Sequence, residues 1–251
     1  MKKLRQLARA LFLAFPAFVF AQNADLPQQH EGYHFVDRLD IKGLTGEAVH
    51  TESKPYGRNM VAKVFADSDT SGMSMREKQW FDLMRIAVDD DHANKNEGKG
   101  FIKYLFKNQR DFYHYDNGKV KLYANVVAHI SMGIDQNDYN STSAKTNLVN
   151  YRNSRGVQLR GSISDKFGFF SEMIENQVKL PQFVRNSYAD LGVLNGQNFV
   201  KVFDEGTPNT GFDYFKARGY VTYSPNEHFR LKLGKDRAAL GNGYQSPVSY
   251  T

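Results

Sequence analysis

The 251 residues carry a formal net charge of +6, and a chain of this length can bury a core in one large or two small domains. Four of the positive charges, Lys2, Lys3, Arg5 and Arg9, fall in the first nine residues, so the rest of the chain is only about +2 and its basicity does not point to nucleic acid. The absence of cysteine excludes disulfide staples and thiolate metal sites, and no lipid anchor on a cysteine is expected.

Aromatic residues make up 14% of the chain, with 19 Phe, 14 Tyr and one Trp, yet the mean hydropathy is −0.58. Many aromatics in a polar chain fit a membrane β-barrel, where only alternate residues face lipid and aromatic girdles mark the interfaces. A soluble β-rich domain with an aromatic core is the alternative. At the start, "MKKLRQLAR" reads as a basic n-region and "ALFLAFPAFVFA" as an apolar h-region ending in Val19-Phe20-Ala21. This predicts a signal peptide over 1–21, cleaved after Ala21. The apolar run is too short for a spanning helix, and none is expected later.

The region 22–112 is expected to hold short helices. One is predicted over Arg58 to Phe65, after Pro55. Another covers Ser74 to Val88, where Ser74 and Glu77 have capping-box spacing and Trp80, Leu83, Met84, Ala87 and Val88 form one apolar stripe. A third is predicted from Gly100 to Asn108. "DSDTSG" at 67–72 mimics the start of a calcium loop, but its twelfth position is Lys78 where a bidentate Glu is required, so a capping-rich helix entry is the better reading. "DDDH" at 89–92 reads as a solvated helix end, not a metal site.

After Gly118 the period changes to two. Val120, Leu122, Ala124, Val126, Ala128, Ile130, Met132 and Ile134 alternate with a mostly polar set that includes Lys119, Lys121, Tyr123, Asn125 and His129. That run is longer than an ordinary soluble strand and suits a tilted barrel wall. The same alternation recurs in "RGVQLRGSIS", "FGFFSEM", "YFKARGYVTY" and "FRLKLGK", each with a greasy face and a polar, often cationic one. Short turns are predicted at 164–166 and 224–228, and long links at about 135–146 and 177–211. If the helical region is periplasmic, both short turns fall on that side, as in bacterial outer-membrane barrels. The expected fold is therefore mainly β: a partial antiparallel transmembrane β-barrel over 113–251, preceded by the small helical periplasmic region. Five strands cannot close a barrel, and an edge left open in hydrocarbon costs several kcal/mol per unpaired backbone group, so the wall is expected to continue beyond Thr251 in a longer parent protein.

Four blocks, "DRLDIKG" (37–43), "HTESKPYGRNMV" (50–61), "GFFSEMIENQ" (168–177) and "GYVTYSPNEHFRLKLGKDRAALGNGYQS" (219–246), together resemble the Wzi-like capsule assembly family, in particular its Bacteroidetes-type members, some of them described as gliding-motility outer-membrane proteins. The resemblance spans roughly Asp37 to Ser246 and implies a cell outer-membrane lectin that holds capsular polysaccharide. Members are much longer, and the final "PVSYT" departs from the strand expected there, as a truncated reading frame would.

There is no G-x-S-x-G, H-E-x-x-H, P-loop or dinucleotide fingerprint, so no enzyme activity, cofactor or metal is expected. The inward-facing set, Lys121, Tyr123, Arg160, Lys216, Arg218, Tyr220, Arg230 and Lys232, with Lys119 beside it, interleaves cations with rings. Cations pair with the carboxylates of acidic sugars while rings stack on sugar faces, so these residues are the candidate ligand contacts. A charged wall also pairs with opposite charges, such as Glu172, or with a plug. The expected partners are capsular or other surface polysaccharide, outer-membrane lipid and surface-assembly machinery, with no nucleic acid. A structural part in a gliding or adhesion apparatus, a porin and an outer-membrane barrel enzyme are the alternatives.

Overall fold

In the computed structural model the described residues are 24–27, 30–45, 53–93, 108, 110–136, 147–164, 166–197, 199–205, 210–225, 229–236, 238–240 and 248–250. The expected signal peptide, the body of the helix predicted over 100–108, and most of the 135–146 link lie outside them.

The N-terminal region is a small helical unit with its own core. Helices α1 (Gly32–Ile41), α2 (Arg58–Asp67) and α3 (Met75–Val88) surround Tyr33, Phe35, Val36, Leu39, Val61, Phe65, Phe81 and Val88. Phe65 is at the centre, 5.6 Å from the Phe35 ring and 5.0 Å from that of Phe81. Burying each such side chain contributes roughly 1.5–3 kcal/mol, which allows a unit with so few elements to hold together. α3 begins as its sequence dictates: the Ser74 side chain accepts from the Glu77 amide, and the Glu77 carboxylate accepts from the Ser74 amide at 3.0 Å. Its buried stripe, however, is rotated from the predicted one. Phe81, Met84 and Val88 face the core, whereas Trp80 and Leu83 are 55% and 60% exposed. Two apolar stripes were available, and tertiary packing on Phe65 selected the one carrying Phe81. A single turn, α4 (Asp90–Ala93), follows α3.

The remainder is dominated by a seven-stranded antiparallel sheet in the order β2-β3-β4-β5-β7-β6, with β8 also paired to β7. Its members are β2 (Tyr113–Asp116), β3 (Val120–Gln136), β4 (Asn147–Ile163), β5 (Phe167–Lys179), β6 (Lys201–Phe203), β7 (Gly211–Tyr223) and β8 (Leu231–Lys235). β3 and β4 pair along their whole length from Val120↔Ile163 to Gln136↔Asn147. β2 and β3 are joined through Asn117-Gly118-Lys119, with Gly118 at φ 81° taking the left-handed position that glycine fills without steric cost. That turn, the one around Ser164 and the segment after Tyr223 all lie at one end of the sheet, where the Ser164 and Ser224 amides donate to the Lys119 and Lys166 carbonyls. A separate small sheet pairs β1 (Ser53–Lys54) with β9 (Ala238–Leu240), and β9 with β10 (Val248–Tyr250).

Several predicted bounds shift. β4 begins at Asn147, before the predicted Arg155, and β5 runs to Lys179, past Met173. The link expected over 177–211 carries helix α5 (Gln182–Leu191), which starts after Pro181 and ends at Gly192 in the left-handed region, φ 69°. Val184 and Tyr188 of α5 pack on Val178 and Phe212, with the Tyr188 and Phe212 rings edge to face at 4.9 Å.

The alternation becomes two chemically distinct faces. On one, register aligns Val120, Ile163, Phe167, Tyr223 and Leu231 in one row, and Val126, Val157, Met173 and Ala217 in another. Val126, Val157, Met173, Val221 and Leu233 on this face are all more than half exposed. In the row of Ala128 it carries the exposed pair Arg155–Glu175 at 2.9 Å, while on β3 the apolar set continues through Ile130, Met132 and Ile134, each more than half exposed. Along β3 the apolar set from Val120 to Ile134 runs about 48 Å at ~3.4 Å per residue. The sheet is open, and among the described residues no helix is long and apolar enough to cross a membrane.

Candidate functional site

The opposite face holds the candidate ligand residues, and its register gathers them into adjacent rows. Tyr123, Arg160, Phe170 and Tyr220 stand side by side on β3, β4, β5 and β7. All four are buried, although no other layer of the sheet covers them. The cover is the N-terminal region.

Arg160 is the centre of this contact. Its Nη1 donates to both Asp90 carboxylate oxygens at 3.0 Å, and its Nη2 to both Asp111 oxygens at 2.9 and 3.1 Å. The guanidinium carbon sits 3.9 Å from the centroid of the Tyr123 ring, which in turn stacks on His114 at 4.8 Å. Arg110 closes the cluster from the far side. It pairs with Asp90, donates to Asp111 at 3.0 and 3.1 Å, and ties to the end of α3 through the Ile86 and Ala87 carbonyls. Asp111 also accepts from Asn125 Nδ2 at 2.7 Å. Burial alone would raise both carboxyls, but Arg160 and Arg110 outweigh it and hold Asp90 and Asp111 below the usual carboxylate range. The reading of "DDDH" as a solvated helix end is therefore corrected at Asp90, which is 5% exposed. Helix α4 delivers it under the wall because a fixed guanidinium waits there.

A second cluster fastens the chain ahead of α1. Asp25 takes Lys232 at 2.8 Å and Arg230 at 2.5 Å, and its amide donates to the Tyr220 hydroxyl at 2.8 Å. Ala24 packs on Phe170 and Tyr220, whose rings stack at 5.2 Å. Lys232 lies 4.0 Å from the Tyr220 centroid and also meets Asp236. In the next row Arg218 donates to Glu172 Oε1 at 2.9 and 2.6 Å while Gln158 donates to Oε2 at 2.9 Å. Lys121 stands 3.9 Å from Asp116.

Lys121, Tyr123, Arg160, Arg218, Tyr220, Arg230 and Lys232 thus lie together near the end that carries the short turns, each cation beside a carboxylate. Lys216 lies apart, one row beyond Arg218, 5.5 Å from the Tyr214 centroid. There it lines a cleft with Arg152, Tyr214, Asn195 and Gln197. Arg152 was missed in the sequence because the strand was taken to begin at Arg155. The alternation of Asn150, Arg152 and Ser154 against Val149 and Tyr151 carries the signal. His129 pairs with Ser154 on the same face. In "DSDTSG" the Asp69 carboxylate accepts from the Ser71 amide at 2.8 Å and hydroxyl at 3.0 Å, turning the chain into α3.

The fold and the site define a one-sided antiparallel sheet whose polar face is packed, at one end, by the chain's own N-terminal region. Comparison with family models, characterised proteins and solved structures gives no match.

Proposed function

We propose that this chain forms part of an outer-membrane β-barrel, exported by its N-terminal signal segment, with the helical region as a periplasmic plug, and that the protein binds and retains capsular or other surface polysaccharide without covalent chemistry. The observation that carries the membrane reading is the apolar face, exposed in register across five strands while the opposite face is charged. In water that face would be a large exposed patch; in lipid it needs no cover. Strands that close the barrel would pair with β2 and the part of β3 beyond Ala124 on one side and with β8 on the other, because an open edge in hydrocarbon is costly.

The polysaccharide reading rests on the inner face, on its cations and rings, and on the resemblance to Wzi-like proteins. Among the candidate contacts, Tyr123, Arg160, Tyr220, Arg230 and Lys232 serve to hold the plug, Lys121 and Arg218 pair with carboxylates of the sheet itself, and the glycan meets the wall farther out, beyond the Arg218 row.

Deleting the gene tests both parts. Loss of polysaccharide from the cell surface with normal release into the medium supports retention, and recovery of the protein in the outer-membrane fraction supports the barrel. Surface polysaccharide unchanged with motility lost would replace the lectin by a structural role in a gliding apparatus. Recovery in the soluble periplasm would refute the membrane reading.

A further inference from the structure

Resting on the membrane reading, we infer that the end of the outward face beside the short turns is the surface that meets the phospholipid headgroups of one leaflet, with Tyr113, Tyr115, Phe167 and Tyr223 as its contacts. Rings are concentrated at that end. Phe167 and Tyr223 belong to the last row of the sheet, and their rings stack at 4.7 Å. In the next row Tyr115 of β2 stands with Leu122, Gly161, Phe169, Val221 and Leu233. Tyr113 follows one row further in, beside Ala124 and Leu159. The row after that, Val126, Val157, Met173 and Ala217, holds no ring.

The chemistry grades along the strands. Aliphatic side chains suit hydrocarbon, whereas tyrosine joins an apolar ring to a hydroxyl that seeks a hydrogen bond, a combination that the headgroup layer accommodates. A water-soluble sheet would turn these rings into a core, yet all four contacts are between 36% and 50% exposed. The rings of the opposite face at the same end, Tyr123, Phe170 and Tyr220, are instead buried beneath the N-terminal region. Just past the ring rows the chain is polar, with Asn117, Lys119, Ser164 and Lys166 exposed in the turns. The Tyr115 hydroxyl accepts from Asn117 Nδ2 at 3.2 Å, so this ring directs its polar tip toward the turn. Aliphatic rows, ring rows and polar turns follow one another in the order of a membrane boundary. Since the helical region docks at this end and is read as periplasmic, the boundary belongs to the periplasm-facing leaflet.

Depth follows from the register. Met173 lies six residues past Phe167 on β5, which is about 20 Å along the strand at ~3.4 Å per residue and roughly 15 Å of depth at the usual tilt of a barrel wall. Tyr223, paired with Phe167, therefore reaches the headgroups while Met173 stays in hydrocarbon.

Tryptophan fluorescence in bilayers of brominated phosphatidylcholine tests the inference. Trp80, the one tryptophan of the chain, is replaced by phenylalanine in the full chain, and Tyr223→Trp, Tyr115→Trp or Met173→Trp then supplies a single reporter. Where Met173→Trp does not fold, Val157→Trp, from the same row, takes its place. Bromine next to the glycerol should quench the Tyr223→Trp and Tyr115→Trp reporters about twofold more than bromine near the end of the acyl chain. The order should be reversed for Met173→Trp. Stronger quenching of Tyr223→Trp and Tyr115→Trp by the deep bromine would overturn the assignment, as would no quenching of either while Met173→Trp is quenched; in both cases the wall stays in the membrane and only the headgroup contact falls. Quenching at none of the positions, in protein whose circular dichroism matches the parent, would overturn the membrane reading and the headgroup contact together.

Discussion

Replacing Arg160 with methionine should undock the N-terminal region from the wall without unfolding either. The side chains of Arg160, Asp90 and Asp111 are 2%, 4% and 0% exposed, so the contact is a desolvated one. Removing one partner of such a pair costs about 3–5 kcal/mol, because a buried charge is left uncompensated. Arg110 still holds both carboxylates in the variant, which puts the expected loss near the lower bound, about 3 kcal/mol. At ~1.4 kcal/mol per factor of ten, the undocked fraction rises by roughly 100-fold. The Asp25 amide reports docking directly, since it donates across the junction to the Tyr220 hydroxyl. Its hydrogen exchange in detergent should accelerate by that factor, while amides between Phe65 and Phe81, inside the helical unit's own core, change far less. Combining Arg160→Met with Asp90→Asn should cost less than the two single losses together, because the two residues share one contact. Unchanged exchange at Asp25, within about threefold, would refute the claim that this cluster holds the plug.

Acid should act on the same region in two steps. His30 is pushed down to about 4 by burial, helped by Arg58 and Arg110, and its Nδ1 accepts from the Gly32 amide at 3.0 Å, as a neutral ring can. Its folded pKa lies below the unfolded value of ~6.5, so the stability it confers is complete above that value and is lost as pH falls toward 4; His30→Gln should flatten this part of a thermal-melting profile. Asp90 and Asp111 are likewise depressed, so their contribution persists through the neutral range and disappears only as pH falls below ~4 into their lowered titrations, read as loss of Asp25 amide protection. Ser74→Ala removes the acceptor for the Glu77 amide and should lower the stability of the helical unit by about 1 kcal/mol, measured by urea unfolding.

The parts of the fold that sequence made legible are those in which local chemistry decides. Val120 to Ile134 alternates without interruption, so the faces of β3 could be read, and Ser74 with Glu77 announced the start of α3. Helix α1 was missed because Glu31 gives it no side-chain cap and it opens on Gly32, which reads as loop punctuation. Helix α5 was hidden because Pro181 and Gly192 read as loop punctuation until they are seen to bound Val184 and Tyr188. The candidate cations were legible as a set, since period two puts them on one face. Their partners were not. Asp25, Asp90 and Asp111 are separated from β4 and β8 by long stretches of chain, and only the fold brings them to Arg160 and Lys232.

The orientation of the sheet in a membrane can be measured residue by residue, because the chain has no cysteine and single cysteines can each carry one nitroxide. In bilayer-reconstituted protein, labels at Val126, Val157 and Met173, one row of the apolar face, should collide with lipid-soluble oxygen and be shielded from a water-soluble nickel chelate. Labels at Asn125 and Gln158, neighbours in the adjoining row on the polar face, should be shielded from the lipid phase. Nickel collisions as frequent at Val126, Val157 and Met173 as at an exposed site such as Met75 would contradict the membrane wall.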